Sequence, residues 1–175
     1  ERGNAPQLAQ YLLSMRDNEH VELHELRGFI SDDLYEAFSE AEAIASGTKC
    51  QKHLFSMSLN PPEGEVVDRE AFERAMERIE RKLGLEDHPR ALIFHEKEGR
   101  RHAHAVWSRI DSEIMRAKNM AFYKKKLMDV SRDLYLEHGW EMPKGMIDRN
   151  LRNPLNFSRA EWQQAQRAKQ DPRLI

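Results

Sequence analysis

Ala91-Leu92-Ile93-Phe94-His95-Glu96-Lys97-Glu98-Gly99-Arg100-Arg101-His102-Ala103-His104-Ala105-Val106-Trp107 is the stretch on which the fold turns. Four apolar residues run into His95, a charged span containing Gly99 follows, and a second run with apolar residues begins at His102. That is the pattern of a β-hairpin. With the turn at Glu98-Gly99, where glycine tolerates positive φ, His95 falls directly opposite His102. Directly opposed residues have Cβ atoms about 4.5–5.5 Å apart. His104 lies two residues beyond His102 and so shares its face. The spacing predicts three imidazoles on one side of a two-stranded ribbon.

Three neutral imidazoles suit a divalent cation and leave coordination positions open for water or a substrate oxygen. Closed structural zinc sites usually add a fourth protein ligand, and here Cys50 is the only thiol. His95, His102 and His104 therefore read as a catalytic type of metal site. The cluster by itself specifies a metal site and not a reaction.

Outward from the hairpin, hydrophobic periodicity marks the other elements. Residues 5–15 read as a helix with Pro6 in its first turn and Leu8, Leu12 and Met15 along one stripe, ended by Asp17-Asn18. Residues 20–29 read as a strand whose alternation slips near Glu25. Ser31 is the expected cap of a second helix, with Asp32 and Asp33 in its first turn, Leu34, Phe38, Ala41 and Ala45 buried, and Gly47 ending it. Residues 52–59 alternate as a strand, Phe55, Met57 and Leu59 against Ser56 and Ser58, before Pro61-Pro62. A third helix, over 68–83, turns Phe72, Met76, Ile79 and Leu83 inward and stops at Gly84. A fourth spans 122–138 on a spine of Leu127, Val130 and Leu134, and Ser158 with Glu161 forms a capping box for a last one reaching Lys169. This order predicts an α+β fold with helices against a mainly antiparallel central sheet. Residues 1–175 are expected to form one domain, with 141–175 a peripheral C-terminal extension.

Composition narrows the class. A 175-residue chain with 39% hydrophobic and 33% charged residues has room for one core beneath a highly charged surface. No apolar run approaches the roughly 18–20 residues of a membrane span. A single cysteine forms no intrachain disulfide, which points to a reducing, cytoplasmic setting. The net charge of −2 is unevenly spread: residues 1–98 hold 12 Lys+Arg and 21 Asp+Glu, and residues 99–175 hold 16 and 9. A basic half is compatible with a polyanion-binding face.

These residues resemble the DNA relaxases of the HUH endonuclease superfamily, in the plasmid-mobilisation branch that includes the T-DNA relaxase. The likeness rests on an apolar strand ending in His95, six intervening residues, and then His102-Ala103-His104 leading into Ala105-Val106-Trp107. The strand over 53–59 and the helix ending Leu134-Tyr135-Leu136-Glu137-His138-Gly139 are also similar. The resemblance implies a palm-like HUH architecture and a tyrosine nucleophile in an early helix, in the setting Gln10-Tyr11-Leu12-Leu13-Ser14. It carries that role to Tyr11, with Tyr123 as runner-up and His20 and His24 as remote alternatives. Relatives commonly hold an acidic residue two positions after the first motif histidine, where this chain has Lys97. Glu96 and Glu98 are the candidates to take over its orienting or proton-handling role. Family members also begin with a strand before the tyrosine helix, so one edge of the sheet is expected to be absent.

The resemblance further implies a metal-dependent nick in single-stranded DNA at an origin of transfer, leaving a 5′-phosphotyrosine and a free 3′-OH. Mg²⁺ or Mn²⁺ is the expected ion, with Zn²⁺ or Ni²⁺ able to occupy the same ligands. Arg100, Arg101, Lys124, Lys125, Lys126 and Arg109 are candidate DNA contacts, with Arg149 and Arg152 adding basic charge. Trp107 points away from the histidines and reads as core. Accessory relaxosome proteins and a type IV secretion coupling protein are the implied partners, with the chain forming the N-terminal part of a longer protein. The alternatives are a rolling-circle initiator or transposase of the same superfamily, a small-molecule metallohydrolase, and a non-catalytic DNA-binding or relaxosome module.

Overall fold

In a computed structural model the residues described are 1–148, 150 and 159–169. They form α1 (Ala5–Leu12), β1 (His20–Arg27), α2 (Leu34–Ser46), β2 (Leu54–Leu59), α3 (Arg69–Leu83), β3 (Arg90–Lys97) and β4 (Arg100–Ser108). A short ribbon of β5 (Ile110–Asp111) and β6 (Arg116–Ala117) follows, then α4 (Tyr123–His138), α5 (Lys144–Ile147) and α6 (Arg159–Ala168). The chain divides into two compact units, Glu1–Val130 and Ser131–Ile175.

In the first unit four strands make one antiparallel sheet in the order β1-β3-β4-β2. The hairpin has the register expected of it, with His95 opposite His102 and Lys97 opposite Arg100. Glu98 at φ 53° and Gly99 at φ 71° both sit in the left-handed region that a two-residue hairpin turn favours. The slip in β1 is also present, as a register shift between Leu23 and Glu25.

Strand alternation divides the core in two. On one face, Ala91, Ile93, Val106 and Leu54 pack with Leu8, Leu12, Leu34 and Phe38 of α1 and α2. On the other, Phe94 meets Phe72 of α3 edge-on at 5.5 Å, and Trp107 lies beside Phe55 at 6.1 Å. Trp107 is fully buried, and its indole N–H donates to Glu80 Oε1 at 2.7 Å. Glu80 is itself buried and also accepts from Arg27 at 2.5 Å, with Arg90 Nη1 3.1 Å away. A buried carboxylate is tolerable only with such partners.

Several boundaries differ from the sequence expectation. α2 is capped by Asp33, whose side chain accepts from the Glu36 N–H, and not by Ser31. Ser31 instead accepts from the Asp33 N–H and donates to Glu36, so the helix begins two residues later. α1 stops at Leu12, and Met15 is exposed and off the buried stripe. Asn18 donates to the Ser14 carbonyl at 3.1 Å, closing the turn that ends the helical path. β2 is an edge strand, and an isolated bridge joins its first residue to Arg2, with backbone hydrogen bonds of 2.7 and 2.9 Å between Arg2 and Leu54. The β5–β6 ribbon and α5 were not anticipated, being too short to show periodicity. A helix is present at 159–168, but Ser158 of its expected capping box lies outside the described residues. Among the described residues no helix is long and apolar enough to cross a membrane.

Candidate active site

His95, His102 and His104 project from the face of the sheet that α1 covers, at the end where that helix stops. Their ring centroids are 4.3–5.4 Å apart. One potential ligand atom from each lies within 4.8 Å of the others. His95 is 3% exposed and donates from Nε2 to the Leu12 carbonyl at 2.6 Å. That bond leaves its Nδ1 lone pair free and holds the ring in place, the usual support for a metal-binding histidine. Burial, followed by the neighbouring imidazoles, pushes His104 down from 6.5 to about 4. His102 is lowered too, by burial first and then by His95, Arg100 and Lys97. Both effects keep the rings neutral, the form that binds a cation. Donor atoms this close together are the kind of set that would hold one divalent cation.

α1 buries Ala5, Leu8, Ala9 and Leu12, which turns its Gln7, Gln10 and Tyr11 flank toward a cavity of ≈ 710 Å³. All three histidines line that cavity. The Tyr11 ring, 59% exposed, stands edge-on to His104 at a centroid distance of 6.2 Å. The structure thus places Tyr11 beside the histidine cluster. Tyr123 lies elsewhere, with its ring edge-on to Phe55 at 5.3 Å, on the α3 side of the sheet. His24 is also on that side, bonded to Glu73 at 2.6 Å and against Phe94. His20 pairs with Glu96 and therefore shares the wrong face.

The charged candidates separate in the same way. Glu96 points to the α3 face, where it binds Arg101 at 2.8 Å, and Arg101 also lies over the Phe94 ring. Neither Glu96 nor Arg101 is on the wall of the histidine cavity, and Glu98 belongs to the turn beyond it. Among the described residues the one carboxylate on that wall is Asp17, from the loop after α1. Arg109 is 9% exposed, and its guanidinium donates to the carbonyls of Lys52 at 2.7 Å and Lys118 at 2.9 Å, which ties the sheet end together. Lys124 and Lys125 are exposed in the first turn of α4, and Lys126 is half-buried. Arg149 and Arg152 lie outside the described residues.

Sequence reasoning passed over Lys97, Ser58, Asn60 and Asp17, all of which line the cavity. The first two were findable. Lys97 follows His95 at the two-residue spacing that links His102 to His104, and Ser58 lies on the strand face opposite Phe55 and Met57, directly across from His104. Asp17 is brought in by the turn that Asn18 closes, for which the sequence has no periodic signal.

Against known families, the model described as relaxase, MobA/VirD2-like, nuclease domain matches residues 11–140. No curated protein and no solved structure matches the chain.

Proposed function

The chain belongs to the relaxase family of the MobA/VirD2-like nuclease domain type, and from that premise we propose that it nicks single-stranded DNA at an origin of transfer through Tyr11. The observation that carries this reading is one cavity wall holding both Tyr11 and the three histidines. An antiparallel sheet with the histidine hairpin at its centre and the tyrosine helix on the same face supports an HUH-type palm.

His95, His102 and His104 would hold a divalent ion, Mg²⁺ or Mn²⁺, whose charge would polarise a non-bridging phosphate oxygen. Tyr11 Oη forms the new P–O bond as the bond from phosphorus to the 3′ oxygen breaks. The products are a 5′-phosphotyrosine and a 3′ end that takes a proton to become a hydroxyl. A phenol ionises near pH 10 in water, so Tyr11 needs a proton acceptor, and Asp17 is the carboxylate on the same wall. The exchange of one phosphodiester for another conserves bond energy, which makes the strand rejoinable at the same site. Neutral Gln7, Gln10, Ser58 and Asn60 on the wall offer hydrogen bonds to the strand. Relaxosome accessory proteins and a type IV coupling protein complete the proposed setting.

The test is denaturing electrophoresis after incubation with a cognate origin oligonucleotide and Mn²⁺. The expected result is a metal-dependent covalent protein–DNA band, lost in Tyr11→Phe and in His102→Ala. A band that survives Tyr11→Phe overturns the choice of nucleophile. Absence of any band with a bound cognate oligonucleotide overturns the nicking reaction and favours a binding module.

A further inference from the structure

We propose that Lys97 and Arg100 form a phosphate clamp beside the histidine cluster, gripping the backbone phosphate next to the one Tyr11 attacks. This rests on the relaxase reading of the site and extends it to the path of the strand. The two residues face each other across the hairpin, one step beyond the His95–His102 pair and on the same face. Two residues of strand advance about 6.6 Å, comparable to the separation of neighbouring phosphates in an extended single strand.

Two cations directly opposed on one face repel each other and weaken a ribbon. The adjoining pair is arranged otherwise: Glu96 and Arg101, on the other face, make a salt bridge at 2.8 Å. Among the described residues neither Lys97 nor Arg100 has a carboxylate partner, and Arg100 is anchored through Nη2 to the carbonyl of Pro61. An anion between them relieves the repulsion.

The cavities support the same path. The histidine cavity adjoins a second one of ≈ 400 Å³ between the hairpin tip and the loop after β2, and the two share Asn60, Lys97 and His102. Glu63, Glu65 and Glu98 line the second cavity and not the first. These carboxylates repel a phosphate there, so the clamp holds one phosphate at the shared wall and the strand does not continue along the acidic side.

The test is the salt dependence of single-stranded oligonucleotide binding by the whole chain, comparing Lys97→Gln/Arg100→Gln with the wild type. Losing one phosphate contact makes the log–log salt slope shallower by about 0.7. A control, Arg81→Gln/Lys82→Gln at the exposed end of α3, removes the same charge and is expected to leave the slope unchanged. Replacing the phosphate beside the cleaved one by a neutral methylphosphonate is expected to weaken wild-type binding and have no further effect on the Lys97/Arg100 variant. The Tm of each variant, measured alongside, separates loss of binding from loss of folding. An unchanged slope, an equal loss in the control, or additive losses with the methylphosphonate overturns the clamp while the nicking reaction stands. A wild type with no affinity for single strands overturns both.

Discussion

His95 links the helix that carries Tyr11 to the strands that carry the proposed metal ligands, because its Nε2 hydrogen goes to the Leu12 carbonyl one residue past Tyr11. Replacing it removes one of those proposed ligands and loosens the end of α1 together. His95→Ala is expected to lower divalent-ion affinity by at least about tenfold, the low end for losing even the support of a ligand, in a calorimetric titration. Glu96→Gln makes the contrasting case. Its carboxylate serves Arg101 on the opposite face, so covalent adduct formation is expected to match the wild type. A large loss there would show that the carboxylate reaches the site. Glu80 illustrates charge used for architecture, holding Trp107, Arg27 and Arg90 beneath α3. Glu80→Ala leaves Arg90 with Glu25 and Arg27 with the carbonyls of Glu86 and His88 but takes the acceptor from the buried Trp107 N–H, and is expected to cost about 1–3 kcal/mol, read from urea unfolding.

At the scale of elements, the hairpin is the part that must hold its register. A one-residue slip would send His102 and His104 to the α3 face. The turn that prevents it needs left-handed backbone at both Glu98 and Gly99. No atom lies near a Cβ built on Gly99, so a side chain there meets no clash and only the backbone penalty remains. Gly99→Ala is therefore expected to cost about 1–2 kcal/mol and to weaken metal binding in parallel, measured by unfolding and titration on one preparation. Helix caps were less legible than the hairpin. Ser31, Asp32 and Asp33 are all good N-cap types, and only the path of the chain selects Asp33. Asp33→Ala is expected to lower stability by about 1 kcal/mol.

For the molecule as a whole, the histidine cluster ties stability to pH. Burial and its neighbours hold His104 near 4 in the folded chain, against 6.5 when unfolded. Between those values the unfolded chain takes up a proton that the folded one refuses, so stability rises with pH and falls as pH drops through that window. The metal-free protein is expected to lose Tm steadily from about pH 6.5 to pH 4, and His104→Asn is expected to flatten that decline. Saturating Mn²⁺ is expected to add stability at pH 7 and to lose that effect in the same acid range, because protons would compete for the same nitrogens. A Tm unchanged by Mn²⁺ at pH 7 would count against the metal centre.

The amino-acid order alone determined the hairpin, its register and the three-histidine face, because a period of two and a two-residue turn are local properties of the chain. It also marked the buried stripes of α2 and α3, where 3.6-residue periodicity is strong. Tertiary structure decided what surrounds that face. Tyr11 and Tyr123 both stand beside helical patterns, and only the packing of α1 and α4 put one by the histidines and the other against Phe55. The same holds for cations: Arg109 and Arg101 read as basic surface, but one is buried among carbonyls and the other paired across the sheet. Lys97, placed where an acid was expected, proved to share the histidine face. Local order sets which side of an element a residue occupies, and only the assembled layers decide what lies on that side.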